Sequence, residues 1–125
     1  FDGNGNGSHW LDLTISYTGP SHIPLTLELG VLIYNDPDHS LYAGVRYDAD
    51  VGAGFTLSPE LGVVFGRSAR WYFTDSDPVN LTNWTLTLTR TTDLGHGLTL
   101  PISLALVVNP EAERIHIVAG LGLHY

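Results

Sequence analysis

The chain has 125 residues, one domain's worth, with 13 Asp or Glu against five Arg and no Lys, a formal net charge of −8. That balance excludes a basic nucleic-acid module, and 43% apolar against 14% charged residues excludes a disordered acidic tail. The absence of cysteine removes a disulfide framework, a thiolate nucleophile and cysteine-based metal sites. No apolar run is long enough for a membrane helix; a membrane strand needs only alternation and stays open.

The segment Phe1-Asp2-Gly3-Asn4-Gly5-Asn6-Gly7 contains D-x-N-x-N-G, with oxygen ligands at calcium-loop positions one, three and five and glycine at six. Leu13 stands at position twelve, where a bidentate Glu is required, so an EF-hand is ruled out. Asp2, Asn4 and Asn6 remain a weak Ca²⁺ candidate beside the ordinary reading, a glycine-rich external loop.

From Leu11 onward the period is two. Leu11, Leu13, Ile15 and Tyr17 share one face until Gly19-Pro20 breaks the run. Ile23, Leu25, Leu27, Leu29, Val31 and Ile33 follow, ending at Asn35-Asp36-Pro37-Asp38. The stretch from Leu41 to Leu57 alternates over 17 residues, with Tyr42, Gly44, Arg46, Asp48 and Asp50 on its polar face. After an expected turn at Ser58-Pro59-Glu60 come Leu61, Val63 and Phe65, then Ala69, Trp71 and Phe73. Trp84, Leu86 and Leu88 mark a strand bounded by Asp93 to Gly97; Leu98 to Val108 and Ile115 to Tyr125 mark two more. The helix-favouring residues are confined to Glu111 to Arg114. The expected fold is all-β, an antiparallel up-and-down meander of seven or eight strands in a single domain over residues 1–125.

Alternation does not say whether the apolar face meets a core or lipid. Strands of about 10 to 13 residues match the roughly 9–11 that cross a bilayer better than the 5–6 of an average soluble strand. Tyr17, Tyr47, Phe55, Trp71, Phe73, Trp84 and Tyr125 are candidates for interfacial girdles. Glu28, Arg46, Asp48, Asp50 and Arg70 are candidates to line a polar lumen. Arg67, on the apolar face, and Pro101, inside a strand, count against this and require an interface or a bulge. The alternative is a soluble β-sandwich with those charges on its solvent face. A shared dry interior for Leu25, Val45, Leu104 and Leu121 would select the sandwich.

Ile115 to Tyr125 closes on an aromatic with Leu123 and Leu121 two and four positions earlier, and resembles the terminal assembly signal of bacterial outer-membrane barrels. Trp10-Leu11-Asp12-Leu13 with Tyr17 and Gly19, Leu29-Gly30-Val31 with Tyr34, and Leu41-Tyr42-Ala43-Gly44-Val45 are similar to the exported TorF-like barrel family. The resemblance implies an even-stranded barrel longer than this chain, with further strands N-terminal to it. If the last strand ends in the periplasm, counting strands back puts Asn35 to Ser40, Thr74 to Leu81, Asn109 to Arg114 and Phe1 outside the cell. If Leu41–Leu57 instead folds back near Asp48 to Gly52, the count becomes eight, two of them too short to span, and the soluble reading gains.

The chemistry-bearing residues do not assemble into a catalytic signature. Six histidines include no HxH or HExxH spacing, and His116 and His124 stand roughly 27 Å apart along a strand. There is no GxSxG, and no Ser, His and Asp spacing selects a triad. Asp48 and Asp50 form an acid/base pair only in spacing; with Arg46 beside them a structural network is the plainer account. The expectation is a non-enzymatic outer-membrane β-barrel without cofactor, acting as a pore, a small-solute passage or an envelope component. Its partners would be the lipid bilayer and other envelope subunits or itself, not nucleic acid. The alternative is an extracellular β-sandwich, an adhesion or filament subunit assembling through strand edges.

Overall fold

The computed structural model describes residues 9–74 and 78–125, so the calcium candidates Asp2, Asn4 and Asn6 lie outside the described residues. Among the described residues eight strands form: β1 (Leu11–Thr18), β2 (Leu25–Tyr34), β3 (Leu41–Tyr47), β4 (Ala49–Gly52), β5 (Phe55–Phe65), β6 (Val79–Gly95), β7 (Leu98–Asn109) and β8 (Arg114–Leu121). They make one antiparallel sheet of order β1-β2-β3-β5-β6-β7-β8, with β4 paired to β5. The all-β meander is the fold that alternation implies. The helix-favouring residues after Asn109 form a turn.

Strand β4 adds no column to the sheet. Leu41–Arg46 of β3 and Ala49–Gly52 of β4 pair with successive halves of β5 on the same edge, so the two are one long strand interrupted at Asp48. The interruption falls beside Ser58-Pro59, where proline has no N–H to give the ladder. Those residues, expected as a turn, therefore lie inside β5. The reversal comes instead at Ala53-Gly54, both at positive φ (54° and 75°), the two-residue geometry whose handedness suits strand twist. His96-Gly97 (55° and 81°) repeats it between β6 and β7.

Three further boundaries differ from the sequence pattern for local reasons. Gly66, at φ 73°, ends β5, so Ala69, Trp71 and Phe73 occupy a loop and Arg67 leaves the apolar face to sit 3.8 Å from Asp38. Strand β6 begins at Val79, inside the segment expected to be external through Leu81. Strand β8 stops at Leu121 because Pro101 accepts from the Gly122 N–H (3.0 Å) but has none to return, and pairing resumes only at the Thr99–His124 bridge.

Register aligns the apolar residues into rows across the sheet, for example Tyr17–Leu27–Val45–Leu61–Trp84–Val108–Ile115. This face is the exposed one. Val45, Leu104 and Leu121 are exposed and Leu25 is half-buried, so they share no dry interior. Among the described residues the only buried hydrophobic side chains are Leu32 and Val64, whereas Asp36, Ser40, Ser58, Ser68, Thr74, Asn80 and Thr82 are buried and polar. Strands β1 and β8 remain the sheet's edges. Connections 35–40, 66–74 and 110–113 lie at one end of the sheet, and the connections 19–24, 53–54 and 96–97 at the other.

Candidate functional site

The site begins with a loop fastened at its root. Between β2 and β3 the buried Asp36 carboxylate accepts from the backbone N–H of Ser40 (2.6 Å) and Asp38 (3.3 Å). Burial alone would raise its pKa, but the hydrogen bonds from Ser40 and Asp38, with the nearby His39, outweigh it and hold the carboxyl below the ordinary 3.8.

This loop grips residues 66–74. The Ser40 and Ser68 hydroxyls hydrogen-bond each other, Asp38 accepts from the Ala69 N–H (3.1 Å), and Arg70 donates to the Asn35 carbonyl (3.2 Å). Ser68 and Thr74 pair as an antiparallel bridge, while Thr74 Oγ1 and Asn80 Nδ2 each donate to the Gly66 carbonyl at 3.1 Å. The consequence is that Trp71-Tyr72-Phe73 turns back over the polar face.

Each of the three meets a different partner. Trp71 packs on Trp10 (centroids 5.2 Å, 58°) beneath the Arg70 guanidinium (5.3 Å). Tyr72 stacks on Tyr42 of β3 (5.8 Å, 9°), and Phe73 carries the Arg114 guanidinium at 5.3 Å. They bound a cavity of about 650 Å³ that also takes Asp12 from β1, Glu28 from β2 and His116 from β8. Residues of both edge strands line one space, so the polar face is the concave one.

Tyr42 reaches its partner because nothing stands beneath its ring. A Cβ at Gly62 would collide with the Tyr42 phenol, and one at Gly44 would come within 2.9 Å of its hydroxyl. Burial pushes the Tyr72 hydroxyl pKa up, and the carboxylates of Glu28, Asp12 and Asp36 push it the same way. The Trp71 indole N–H is buried and finds no acceptor among the described residues.

The five polar candidates separate. Glu28 lines the cavity, and with Tyr42, Arg46 and Glu60 it also lines a smaller pocket of about 50 Å³. Arg46 pairs with Asp48 (3.3 Å), whose carboxylate also accepts from Ser58 Oγ (2.6 Å). Asp50 caps the turn by accepting from the Gly52 N–H (2.8 Å), and Arg70 belongs to loop 66–74, not to a strand. Of the girdle candidates, Trp71 and Phe73 face the cavity, Trp84 lies within β6, and Tyr17, Tyr47, Phe55 and Tyr125 stand at or near strand or chain ends. Asp12 and Tyr72 have no local signal in the sequence; the inward Tyr42 facing glycines is the one available clue.

Among the described residues no group of three His, Asp or Glu could hold a metal ion, and no helix is long and apolar enough to cross a membrane. Comparison of the chain with family models, curated proteins and solved structures finds no match.

Proposed function

We propose that this chain forms the wall of a bacterial outer-membrane β-barrel of TorF-like type, whose polar interior passes or holds a small solute. The observation that carries the reading is the inverted distribution of side chains: Ile15, Ile117 and Leu121 are 67%, 77% and 75% exposed, while the buried set is mostly polar. Burying an apolar side chain contributes about 1.5–3 kcal/mol. Leaving some ten of them half exposed to water would forfeit on the order of 10 kcal/mol, comparable with the whole stability of a domain. Hydrocarbon removes that cost.

The longer strands have spanning dimensions, whereas β1, β3 and β8, at 8, 7 and 8 residues, are shorter than the 10 to 13 expected. Strand β5 has 11 residues, about 33 Å of chain, or about 25 Å of height at a barrel tilt near 40°, the depth of the apolar band of outer-membrane barrels. Arg90 lies on the apolar face but opposite Phe55 at the far end of β5, its guanidinium 5.3 Å from that ring, a place for an interface and not a midplane. The long segment 66–74 after β5 lies at the end opposite the two two-residue turns, the asymmetry of external loops and periplasmic turns. Since strand direction alternates along the seven-column path, β1 and β8 run parallel. An odd number of additional strands closes the barrel with antiparallel pairs throughout.

The chain contains no cysteine, so single nitroxide labels report position directly. Leu29→Cys and Leu104→Cys labels in liposomes should be accessible to dissolved oxygen and shielded from a water-soluble nickel relaxant, and Thr87→Cys the reverse. A detergent-free monomer with both leucine-site labels shielded from every relaxant would overturn the reading. The unpaired edges of β1 and β8 favour a second reading, a secreted subunit that assembles by strand addition; concentration-dependent polymer in plain buffer would select it.

A further inference from the structure

Three consecutive aromatics cover the cavity, and two already carry cations. Arg70 lies over Trp71 and Arg114 over Phe73, both at 5.3 Å. The middle one, Tyr72, has no cation of the protein over it among the described residues. It stacks on Tyr42 instead, within electrostatic reach of Glu28 and Asp12.

Neither carboxylate has a direct ion pair, although Arg114 and His116 line the same cavity and Arg46 shares the smaller pocket with Glu28. The ion pairs among the described residues are Arg46–Asp48 and Arg67–Asp38, and Asp12 and Glu28 have no hydrogen-bond partner there. A cavity of about 650 Å³ exceeds what a bare metal ion fills, and the carboxylates do not converge as metal ligands. Tyr72, which lines the cavity, offers the ring face not stacked on Tyr42 to a cation bearing alkyl groups.

We propose that the cavity binds an organic ammonium ion, its charge held by Glu28, with Asp12 adding negative potential from four residues further along the sheet, and its alkyl substituents against Tyr72. This deepens the small-solute reading and rests on it for the setting, not for the contacts. Phosphate, carboxylate or neutral sugar solutes lack the charge these groups select.

Choline is the probe, with its uncharged carbon isostere, sodium ion and methyl glucoside as comparisons. The full chain carrying Trp84→Phe leaves Trp10 and Trp71 as the reporting indoles. Choline should change their fluorescence saturably, the three comparisons should not, and Glu28→Gln and Tyr72→Leu should each weaken binding about tenfold, the scale of a desolvated cation–π contact. Heat-dependent gel migration confirms that each variant is folded. Equal binding of the isostere or the glucoside, or unchanged affinity in folded Glu28→Gln, would overturn the proposal. Folded protein in detergent that ignores choline sinks the site alone; protein that folds in plain buffer and binds choline sinks the membrane reading and leaves the site standing.

Discussion

Tyr42, on a strand, and Tyr72, in a loop 30 positions later, stack with their rings 9° from parallel and 5.8 Å apart. The pair joins the sheet to the loop that covers it. It exists because two glycines on the neighbouring inward positions leave room for the Tyr42 ring.

Gly62→Ala should therefore act at a distance. The added methyl meets the Tyr42 phenol, so the ring must lift and lose Tyr72, at a cost of about 1–3 kcal/mol, the range of an overpacked core. Urea unfolding in detergent measures it. The penalty should largely vanish in a Tyr42→Ala background, because the group it strikes is gone.

The Asp36 anchor makes loop closure sensitive to acid. Its folded pKa lies below the ordinary 3.8, so the unfolded loop binds the proton more readily, and the stabilisation is present above about 3.8 and lost as pH falls through the folded value. The protection of the Ser40 amide, which donates to Asp36, relative to its intrinsic exchange rate should fall on acidification. Asp36→Asn should show the open loop at neutral pH and no such dependence.

The two faces should respond oppositely to charge. Leu104→Arg, in the middle of the apolar face, should cost about 2–4 kcal/mol in a bilayer and reduce insertion. Thr87→Arg, on the polar face of β6 opposite Ala105 of β7, should insert normally. Equal insertion of the two in a liposome folding assay would contradict the assignment of faces.

Ala53 holds a left-handed backbone at the β4–β5 turn (φ 54°) with Gly54 after it. Asn tolerates that conformation and completes the favoured Asn-Gly turn, so Ala53→Asn should stabilise the fold by about 1 kcal/mol, read as a higher urea midpoint with unchanged slope.

Alternation determined the class and which residues of a strand share a face, and the short connections between consecutive strands determined their antiparallel order. A strand's side chains have a period of two whatever surrounds them, so Leu13, Ile15, Leu29 and Leu104 had to lie on one side. Strand ends were less legible. Ser58-Pro59-Glu60 carries turn-forming residues, yet the missing N–H of Pro59 disrupts the neighbouring strand and not its own. Trp71 and Phe73 continue the alternation across Gly66, whose positive φ breaks the strand before them. What only the tertiary structure decided is the site. Asp12, Glu28, Tyr42 and Tyr72 come from three strands and a loop, and sheet curvature, register and the Asp36–Ser40–Ser68 anchorage bring them together through contacts no single segment encodes.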